Sequence, residues 1–184
     1  MALLVLGISR IGCVLLALTV AAGIAGADEP SAEEYQVKAV FLFNFAKFVE
    51  WPAAAFKSGD DPFEICVLGR NPFGTQLEDV VRGKTVGKRT FVVRSVSTAK
   101  QAAGCHVVFV GGSEQKRVQP VIDELKGASI LTVGESADFL ENGGIVNFKI
   151  KDSRVRIEIN SQCAERAQLR ISSKLLSLAD VSKK

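Results

Sequence analysis

The chain has few of the residues from which metal and catalytic sites are built. His106 is the only histidine among 184 residues, whereas an ordinary zinc site draws on several histidine and cysteine ligands. Cys105 precedes it, but neighbouring residues of a strand point to opposite faces of a sheet, so the two cannot act as a nucleophile and its base. The sequence therefore predicts a protein that is not an enzyme and that has no metal site and no cofactor.

The sequence also lacks the glycine patterns that cradle nucleotide phosphates. It has no G-x-G-x-x-G motif, and Gly83-Lys84-Thr85 lacks the upstream glycine and the preceding strand of a P-loop. Gly111-Gly112-Ser113 does follow a predicted strand and precede a predicted helix, a position where backbone N–H groups can hold an anion. The alternative is that these residues form only a tight turn.

Strong charge and internal repetition are absent too. The formal net charge is +3, and no cluster of lysine and arginine is interleaved with aromatic residues, so a nucleic-acid partner is not expected. No repeat, low-complexity tract or linker interrupts the chain. These absences favour a single domain.

The first 27 residues have the anatomy of a cleavable export signal. A single charge, Arg10, stands within an otherwise apolar stretch that ends in Ala25-Gly26-Ala27, and such small residues are typical of a cleavage site. The alternative is an uncleaved membrane anchor, because the apolar run is just long enough to cross a bilayer. We expect cleavage after Ala27, which leaves a mature domain spanning residues 28–184.

Three cysteines remain after that cleavage, and two of them suit a disulfide. In an oxidising compartment a spaced pair usually forms a structural bridge. Cys66 and Cys105 lie in the stretches 63–69 and 105–111, both predicted strands, and neighbouring strands of one sheet would bring them within bonding distance. Cys163 is then a free thiol, which we expect to be a small buried residue. An intermolecular bridge and a reactive thiol are its alternatives.

Periodicity predicts a long helix near the start of the domain. From Glu33 to Val49 apolar residues recur at spacings of three and four. Trp51-Pro52 ends the pattern, because proline disfavours helix before it. The repeating residues are Val37, Val40, Phe41, Asn44, Phe45 and Phe48. Leu42 and Phe43 widen this stripe, so the helix can be covered on two sides. Phe41, Phe45 and Phe48 share one face, which we expect to belong to the core.

The rest of the chain alternates strands with short helices. Strands are predicted at 65–69, 90–96, 107–111 and 129–134, with helices at 75–81, 97–103 and 113–126 between them. This order predicts an α/β fold, a mostly parallel sheet with flanking helices. Residues 145–150 and 154–160 alternate polar and apolar side chains and predict a C-terminal β-hairpin. Helices are expected to follow from Ser161 and from Ser172.

Two blocks of sequence carry a resemblance to a known family. The first block, residues 35–52, reads YQVKAVFLFNFAKFVEWP; the second comprises GGIVNF at 143–148, RVRIEIN at 154–160 and LRISSKLL at 169–176. Together with ICVLG at 65–69 they resemble the YfiR family of periplasmic regulatory proteins. The similarity extends from Tyr35 to Ala179.

The resemblance implies a compact periplasmic α/β domain that can form a homodimer. The best-understood member of the family represses a membrane-bound diguanylate cyclase by binding its periplasmic sensor region, and its release raises cyclic di-GMP and favours biofilm growth. That repressor uses disulfides, and Cys66 and Cys105 match one of its bridges. Its second cysteine pair is missing here, since the stretch from Phe139 to Val155 contains no cysteine. This departure puts redox switching through the second pair in doubt.

Two functions from different classes follow. The first is a regulator that binds the periplasmic sensor region of an inner-membrane signalling protein. The final helix is its candidate contact surface, through Leu175, Leu176 and Leu178. In the simpler interpretation these leucines close the open face of the sheet. The second function is a small-ligand-binding domain that uses the strand ends of the sheet, at Gly69, Gly111, Gly112 and Ser113.

Overall fold

The first element of the structure is the long helix that the sequence predicts. The computed structural model describes residues 31–182, so the predicted export signal, 1–27, lies outside the described residues. Helix α1 spans Ala32–Phe48, and the Ser31 side chain caps it by accepting the Glu34 N–H at 3.1 Å. Glu33 and Glu34 in the first turn and Lys47 in the last complement the helix dipole.

The buried face of α1 includes only part of the repeating stripe. Val37 is 43% exposed and Val40 is 41% exposed, so these two members of the stripe do not face the core. Phe45 is fully buried, while Phe41 and Phe48 pack at the edge of the core. Because α1 is apolar nearly all round, the spacing could not decide which side meets the sheet. The buried residues are Tyr35, Lys38, Ala39, Leu42, Phe43, Phe45 and Ala46.

Within residues 31–182 ten strands follow α1, and eight of them form one sheet in the order β10-β8-β7-β6-β5-β2-β4-β3. Their bounds are β1 Val49–Glu50, β2 Phe63–Leu68, β3 Thr85–Val86, β4 Arg89–Val96, β5 Val107–Val110, β6 Leu131–Gly134, β7 Val146–Lys151, β8 Arg154–Asn160, β9 Arg170–Ile171 and β10 Asp180–Ser182. Five neighbouring strands run parallel to one another, in the spatial order β7, β6, β5, β2 and β4, and β10 is parallel to β8. The mostly parallel α/β fold is therefore confirmed. Strands β1 and β9 form a separate antiparallel pair.

In the described part of the chain, four shorter helices lie between these strands: α2 Gln76–Val81, α3 Val118–Leu125, α4 Ser161–Arg166 and α5 Ser173–Leu176. The helix predicted at 97–103 is a short 3₁₀ turn, Ala99–Ala102. The helix predicted at 113–126 divides into a 3₁₀ turn, Gly112–Arg117, and α3. Pro120 lies in the first turn of α3, where the backbone N–H groups have no partner inside the helix, so proline is tolerated.

The sheet separates two hydrophobic cores. Helices α1 and α2 cover one face, and α3 covers the other together with the turn Ala99–Ala102. The chain leaves β2 toward β4 on one side and then returns to β5 on the other side of β2. This reversal creates a topological switch point between the carboxyl ends of β2 and β5, where open α/β sheets commonly bind ligands.

The predicted hairpin is β7 paired with β8, turning at Asp152 and Ser153. Phe148 and Ile157 are buried, as the alternation predicts, but Ile150 is 53% exposed. Strand β6 pairs with β7 only at the first two residues of β7, Val146 and Asn147. The outer half of the hairpin is therefore paired only with itself among the described residues, and Ile150 lies beyond the core.

Candidate functional site

The disulfide predicted from the sequence is present in the structure. Cys66 of β2 is bonded to Cys105, which precedes β5, with 6.0 Å between the two Cα atoms. Both residues are buried. In the chain-entropy model, closing a loop of 39 residues contributes about 3–4 kcal/mol. The bridge fastens the two central strands on the α3 face of the sheet.

The described residues give no good support for a metal site. One group of potential ligands comes together among them, Glu64 with Cys66 and Cys105. The two sulfur atoms are already bonded to each other, and a disulfide offers no thiolate to a metal. Glu64 instead accepts a hydrogen bond from Arg94 at 2.7 Å.

The structure brings the four predicted ligand-binding residues together at the switch point, but their polar groups are already used. The Gly69 N–H donates to the Val96 carbonyl at 3.0 Å, and the Gly111 N–H donates to the Leu68 carbonyl at 3.1 Å. The Ser113 hydroxyl accepts the Arg70 N–H at 3.0 Å. A side chain at Gly69 would meet Ser113 Oγ at 2.5 Å. The crevice is thus filled by the chain itself.

The fourth residue, Gly112, holds an anion that belongs to the protein. Its N–H donates to Glu135 Oε1 at 2.9 Å. Glu135 Oε2 accepts from Lys38 Nζ at 2.7 Å, and the Tyr35 hydroxyl lies 3.3 Å from Oε1. Lys38, itself only 3% exposed, also pairs with Glu34. The position where the sequence analysis considers an anion is therefore occupied by an internal carboxylate, which ties α1 to the strand ends.

Burial and the neighbouring charge both act on Tyr35 in this cluster. Burial is the larger cause and the Glu135 carboxylate the second, and both raise the pKa of the Tyr35 hydroxyl. The phenol therefore stays neutral and serves as a donor. Sequence reasoning missed Tyr35, Lys38 and Glu135. A lysine among the apolar residues of α1, four positions after a glutamate, was the available indication.

A second feature is a groove between the first half of α1 and the β7–β8 hairpin, here named the α1–hairpin groove. It encloses about 1140 Å³. Its apolar lining comes from both elements, namely Val37, Phe41, Phe148, Ile150 and Val155. Glu33 and Glu34 line it on the helix side, and Lys149 and Arg154 line it on the hairpin side. Lys38, Glu135, Ser136 and Asn147 line it as well, so the groove is a mixed apolar and polar surface with acidic residues on the helix side and basic residues on the hairpin side.

The predicted contact surface on the last helix does not form as one exposed stripe. Leu175 is only 2% exposed and belongs to the core, so it cannot contact a partner. Leu176 packs partly against the same core. Leu178 is 63% exposed, but it follows α5 instead of lying within it. The simpler interpretation, in which these leucines help to close the core, holds for the first two.

Cys163 is a buried free cysteine, as expected. It lies in α4, whose N-cap Asn160 accepts the Cys163 N–H at 3.0 Å. The Arg166 guanidinium donates to its Sγ at 3.2 Å. The residue lines a second cavity of about 870 Å³ on the α3 face of the sheet, beside Thr132 and Ile145.

His106 is buried in an aromatic environment and has no reactive neighbour among the described residues. Its Nδ1 accepts the Glu64 N–H at 3.0 Å. Its ring stacks on Phe56 and Phe63, with centroids 4.4 and 4.8 Å away. Burial lowers its pKa, so the ring is neutral near pH 7. The only histidine is thus a packing residue that satisfies one backbone donor.

Comparison with known families decides the assignment. A family model described as YfiR/HmsC-like matches residues 35–180. The chain belongs to the YfiR/HmsC-like family. This YfiR/HmsC-like family is regulatory and periplasmic, and membership suggests a regulator in cyclic di-GMP signalling. The resemblance that the sequence motifs carry is confirmed.

Solved structures that are similar to this chain include the following two. A conserved domain protein from Vibrio cholerae O1 biovar El Tor gives a TM-score of 0.54 at 12% identity, over 81% of this chain and 60% of that chain. The ABC domain from Streptococcus pneumoniae in complex with L-Trp gives 0.48 at 13% identity, over 65% of this chain and 54% of that chain. The chain spans less than two thirds of either relative. The first shows a common fold, and the second carries no argument.

Within residues 31–182, no helix is both long enough and apolar enough to cross a bilayer.

Proposed function

We propose that this chain is a non-enzymatic periplasmic regulator that binds the periplasmic sensor region of an inner-membrane diguanylate cyclase and so lowers cyclic di-GMP. The observation that carries the proposal is the family match over residues 35–180. Cleavage of the export signal after Ala27 and formation of a homodimer are parts of the same proposal.

The chemistry of the described residues supports a role in binding. The buried carboxylate of Glu135 is held by Lys38, and His106 is enclosed by aromatic rings. Neither is placed beside a nucleophile with room for a substrate. A regulator that works by association needs a stable scaffold and an exposed surface, and this domain supplies both.

The proposal is tested in cells by deleting the gene and measuring cyclic di-GMP and surface attachment. Loss of a repressor raises both quantities, and expression of the full chain from a plasmid returns both to the wild-type level. Unchanged cyclic di-GMP after both deletion and overexpression would exclude repression of a cyclase.

A second candidate function is the binding of a small ligand. The strand ends at the switch point are closed, but the cavity beside Cys163 has a volume of about 870 Å³, within the usual range for ligand pockets. Native mass spectrometry of the protein purified from periplasm tests this candidate. A co-purifying small molecule would favour it, and a mass equal to that of the bare chain would count against it.

A further inference from the structure

We propose that the cavity beside Cys163 binds a small molecule with an apolar body and an oxygen acceptor at one end, as a medium-chain fatty acid or its ester has. This inference deepens the second candidate function and rests on it. It follows from a part of the sheet that no helix covers, and from a buried side chain whose donor group has no partner in the protein.

The cavity exists because the helical cover on the α3 face of the sheet stops short of β7. Among the described residues, the core on that face contains none from β7 or β8. Glu158 and Asn160 of β8 point to this face, because Ile157 and Ile159 alternate with them and belong to the core on the α1 face. The uncovered space between α3, the hairpin and α4 is the cavity of about 870 Å³.

An apolar wall of the cavity can bury a hydrocarbon body. It comprises Ile122 and Leu125 of α3 together with Ile130, Leu140 and Ile145. All of these except Leu140 are at most 6% exposed, so little of this wall is accessible from outside the cavity. Burial of hydrocarbon against such a wall is favourable in proportion to the area removed from water. Pockets for small molecules typically combine a wall of this kind with a few polar groups.

Asn160 supplies the polar group that gives the cavity its chemistry. It is 4% exposed and lines the cavity. Its Oδ1 accepts the Cys163 N–H at 3.0 Å, whereas its Nδ2 group donates to no acceptor among the described residues and is not sealed within the protein. A buried donor without a partner is costly, and buried polar groups normally bond to protein, water or ligand. An oxygen acceptor on a ligand would take this bond.

Arg166 of α4 provides a second donor close to Asn160. Its guanidinium donates to Cys163 Sγ at 3.2 Å and to the Gln162 carbonyl at 3.3 Å. No carboxylate among the described residues pairs with it. Because Cys163 contacts both Arg166 and Asn160, the two donors lie at the same end of the cavity. An arginine can bind a carboxylate through two parallel hydrogen bonds.

The other charged residues of the lining are either paired or exposed. Lys126 and Lys149 each form an ion pair within the protein, Lys149 with Glu158 of the same lining. Glu141 has no ion pair among the described residues, but it is exposed on the loop between β6 and β7, where water and salt screen its charge. The chemistry of the ligand is therefore argued from the buried donor of Asn160 and not from a count of charges.

Binding of three probes with similar hydrocarbon chains to the protein purified from periplasm tests the ligand class. Octanoate carries a carboxylate, methyl octanoate an uncharged carbonyl and octylamine a cationic donor. Isothermal titration calorimetry measures each affinity, and the side-chain amide signal of Asn160 in ¹⁵N NMR reports contact. We expect octanoate and methyl octanoate to bind and to shift that signal, and octylamine not to bind. Tighter binding of octanoate identifies an acid as the ligand, and equal affinities identify a carbonyl oxygen as sufficient; both support the proposal.

Asn160→Asp is the decisive variant, because it keeps the oxygen that accepts the Cys163 N–H and replaces the donor with a second acceptor. We expect octanoate to bind roughly tenfold more weakly. Asn71→Asp is the matched control, since Asn71 Oδ1 also accepts a backbone N–H, that of Phe73 at 2.9 Å, but lies outside the cavity lining. Its affinity for octanoate should equal that of the wild type.

A cavity-filling variant keeps the test decisive if Asn160→Asp does not fold. Ala128 lines the cavity and is only partly buried, so Ala128→Trp should occupy the space and abolish binding of octanoate. Ala53→Trp, an exposed change outside the lining, should leave the affinity unchanged. Circular dichroism and the urea midpoint establish that each variant is folded.

Several outcomes would overturn the inference, and they are distinct from failure of the second candidate function. Octylamine binding as tightly as octanoate, or full affinity of folded Asn160→Asp, means that the ligand class is wrong. Full affinity of folded Ala128→Trp means that the probe binds elsewhere. Absence of binding by all three probes also overturns the inference. Native mass spectrometry then decides the candidate function itself: a co-purifying molecule of another class retains it, and the mass of the bare chain counts against it.

Discussion

Individual residues explain why the strand-end crevice of this fold is closed. In many α/β proteins the switch point receives an anionic ligand at free backbone N–H groups. Here the Gly112 N–H binds Glu135, and Lys38 neutralises that carboxylate from α1. A buried carboxylate and a buried ammonium are costly to desolvate, so removing one partner leaves the other uncompensated.

Glu135→Gln should therefore destabilise the domain. We expect the free energy of unfolding to fall by about 2–3 kcal/mol, because Lys38 loses this partner but keeps Glu34. Urea unfolding followed by circular dichroism measures the change. Glu141→Gln, a similar change at an exposed position, is the control and should stay within about 0.5 kcal/mol. Equal stability of the two variants would mean that the cluster is not stabilising.

His106 gives the domain a pH dependence whose sign is fixed by burial. Because burial lowers its pKa in the folded state, the unfolded chain, with a histidine pKa near the ordinary value of about 6.5, binds the proton first. The neutral ring contributes its full stability above about pH 6.5, and that contribution is lost as the pH falls toward the lower folded-state pKa. His106→Phe, which cannot titrate, should show a flatter urea midpoint between about pH 7 and pH 5. Parallel pH profiles for the two proteins would contradict this.

Cys163 should behave as an enclosed thiol. It is 8% exposed and fixed within α4, so we expect slow alkylation by iodoacetamide in the native protein and rapid alkylation in urea. Mass spectrometry after timed quenching measures both rates. Rapid native labelling, or a dimer linked through Cys163 on a non-reducing gel, would mean that the thiol is accessible.

At the scale of elements, α1 shows how an apolar helix can have two uses. One side, with Leu42 and Phe45, is fully buried against the sheet, while the other, with Val37 and Val40, remains exposed. The same helix thereby builds the core and one wall of the α1–hairpin groove. A substitution on each side should show which side supports the core.

Phe45→Ala should destabilise the domain strongly, and Val40→Ala should not. Truncating a buried phenylalanine typically costs about 3–5 kcal/mol, which corresponds to a fall in melting temperature of roughly 6–20 °C for a domain of this size. Val40 is the control because it lies on the exposed side of the same helix, and its truncation should stay within about 0.5 kcal/mol. A nearly unchanged melt for Phe45→Ala would mean that this side of α1 does not support the core.

At the scale of the whole molecule, the disulfide and the two cores act together. The sheet is covered by α1 and α2 on one face and by α3 on the other. The Cys66–Cys105 bridge joins β2 to the segment that enters β5, at the amino-terminal end of β5 and therefore away from the switch point. The centre of the domain is thus its most constrained part, and the hairpin tip is its least covered.

Reduction of the bridge should lower stability without abolishing the fold. We expect the double variant Cys66→Ala/Cys105→Ala to lose about 3–4 kcal/mol. Urea unfolding of this variant is compared with that of Cys163→Ala, which keeps the bridge. Peptide mapping without reductant should recover the linked pair from periplasmic protein, and recovery of both as free thiols would show that the bridge does not form there.

The sequence by itself determined the order of the strands β2, β4, β5 and β6, the hairpin and the family, because these depend on local periodicity and on contiguous motifs. The short strands β1, β3, β9 and β10 were not predicted, because two or three residues carry no periodicity. The pairing of Cys66 with Cys105 was also within its reach, since both lie next to predicted strands. The buried side of α1 could not be predicted from the sequence, because a helix with apolar residues on both sides offers two candidate faces and only contact with the sheet selects one.

Tertiary structure alone decided what occupies the strand ends and what remains exposed. Glu135 is 97 residues from Lys38 along the chain, and no local pattern records that they meet over Gly112. Leu175 and Leu178 are close in sequence, yet Leu175 is 2% exposed and Leu178 is 63% exposed. Burial depends on which distant elements pack over a residue, and that is why the groove, unlike the fold, could be found only from the folded chain.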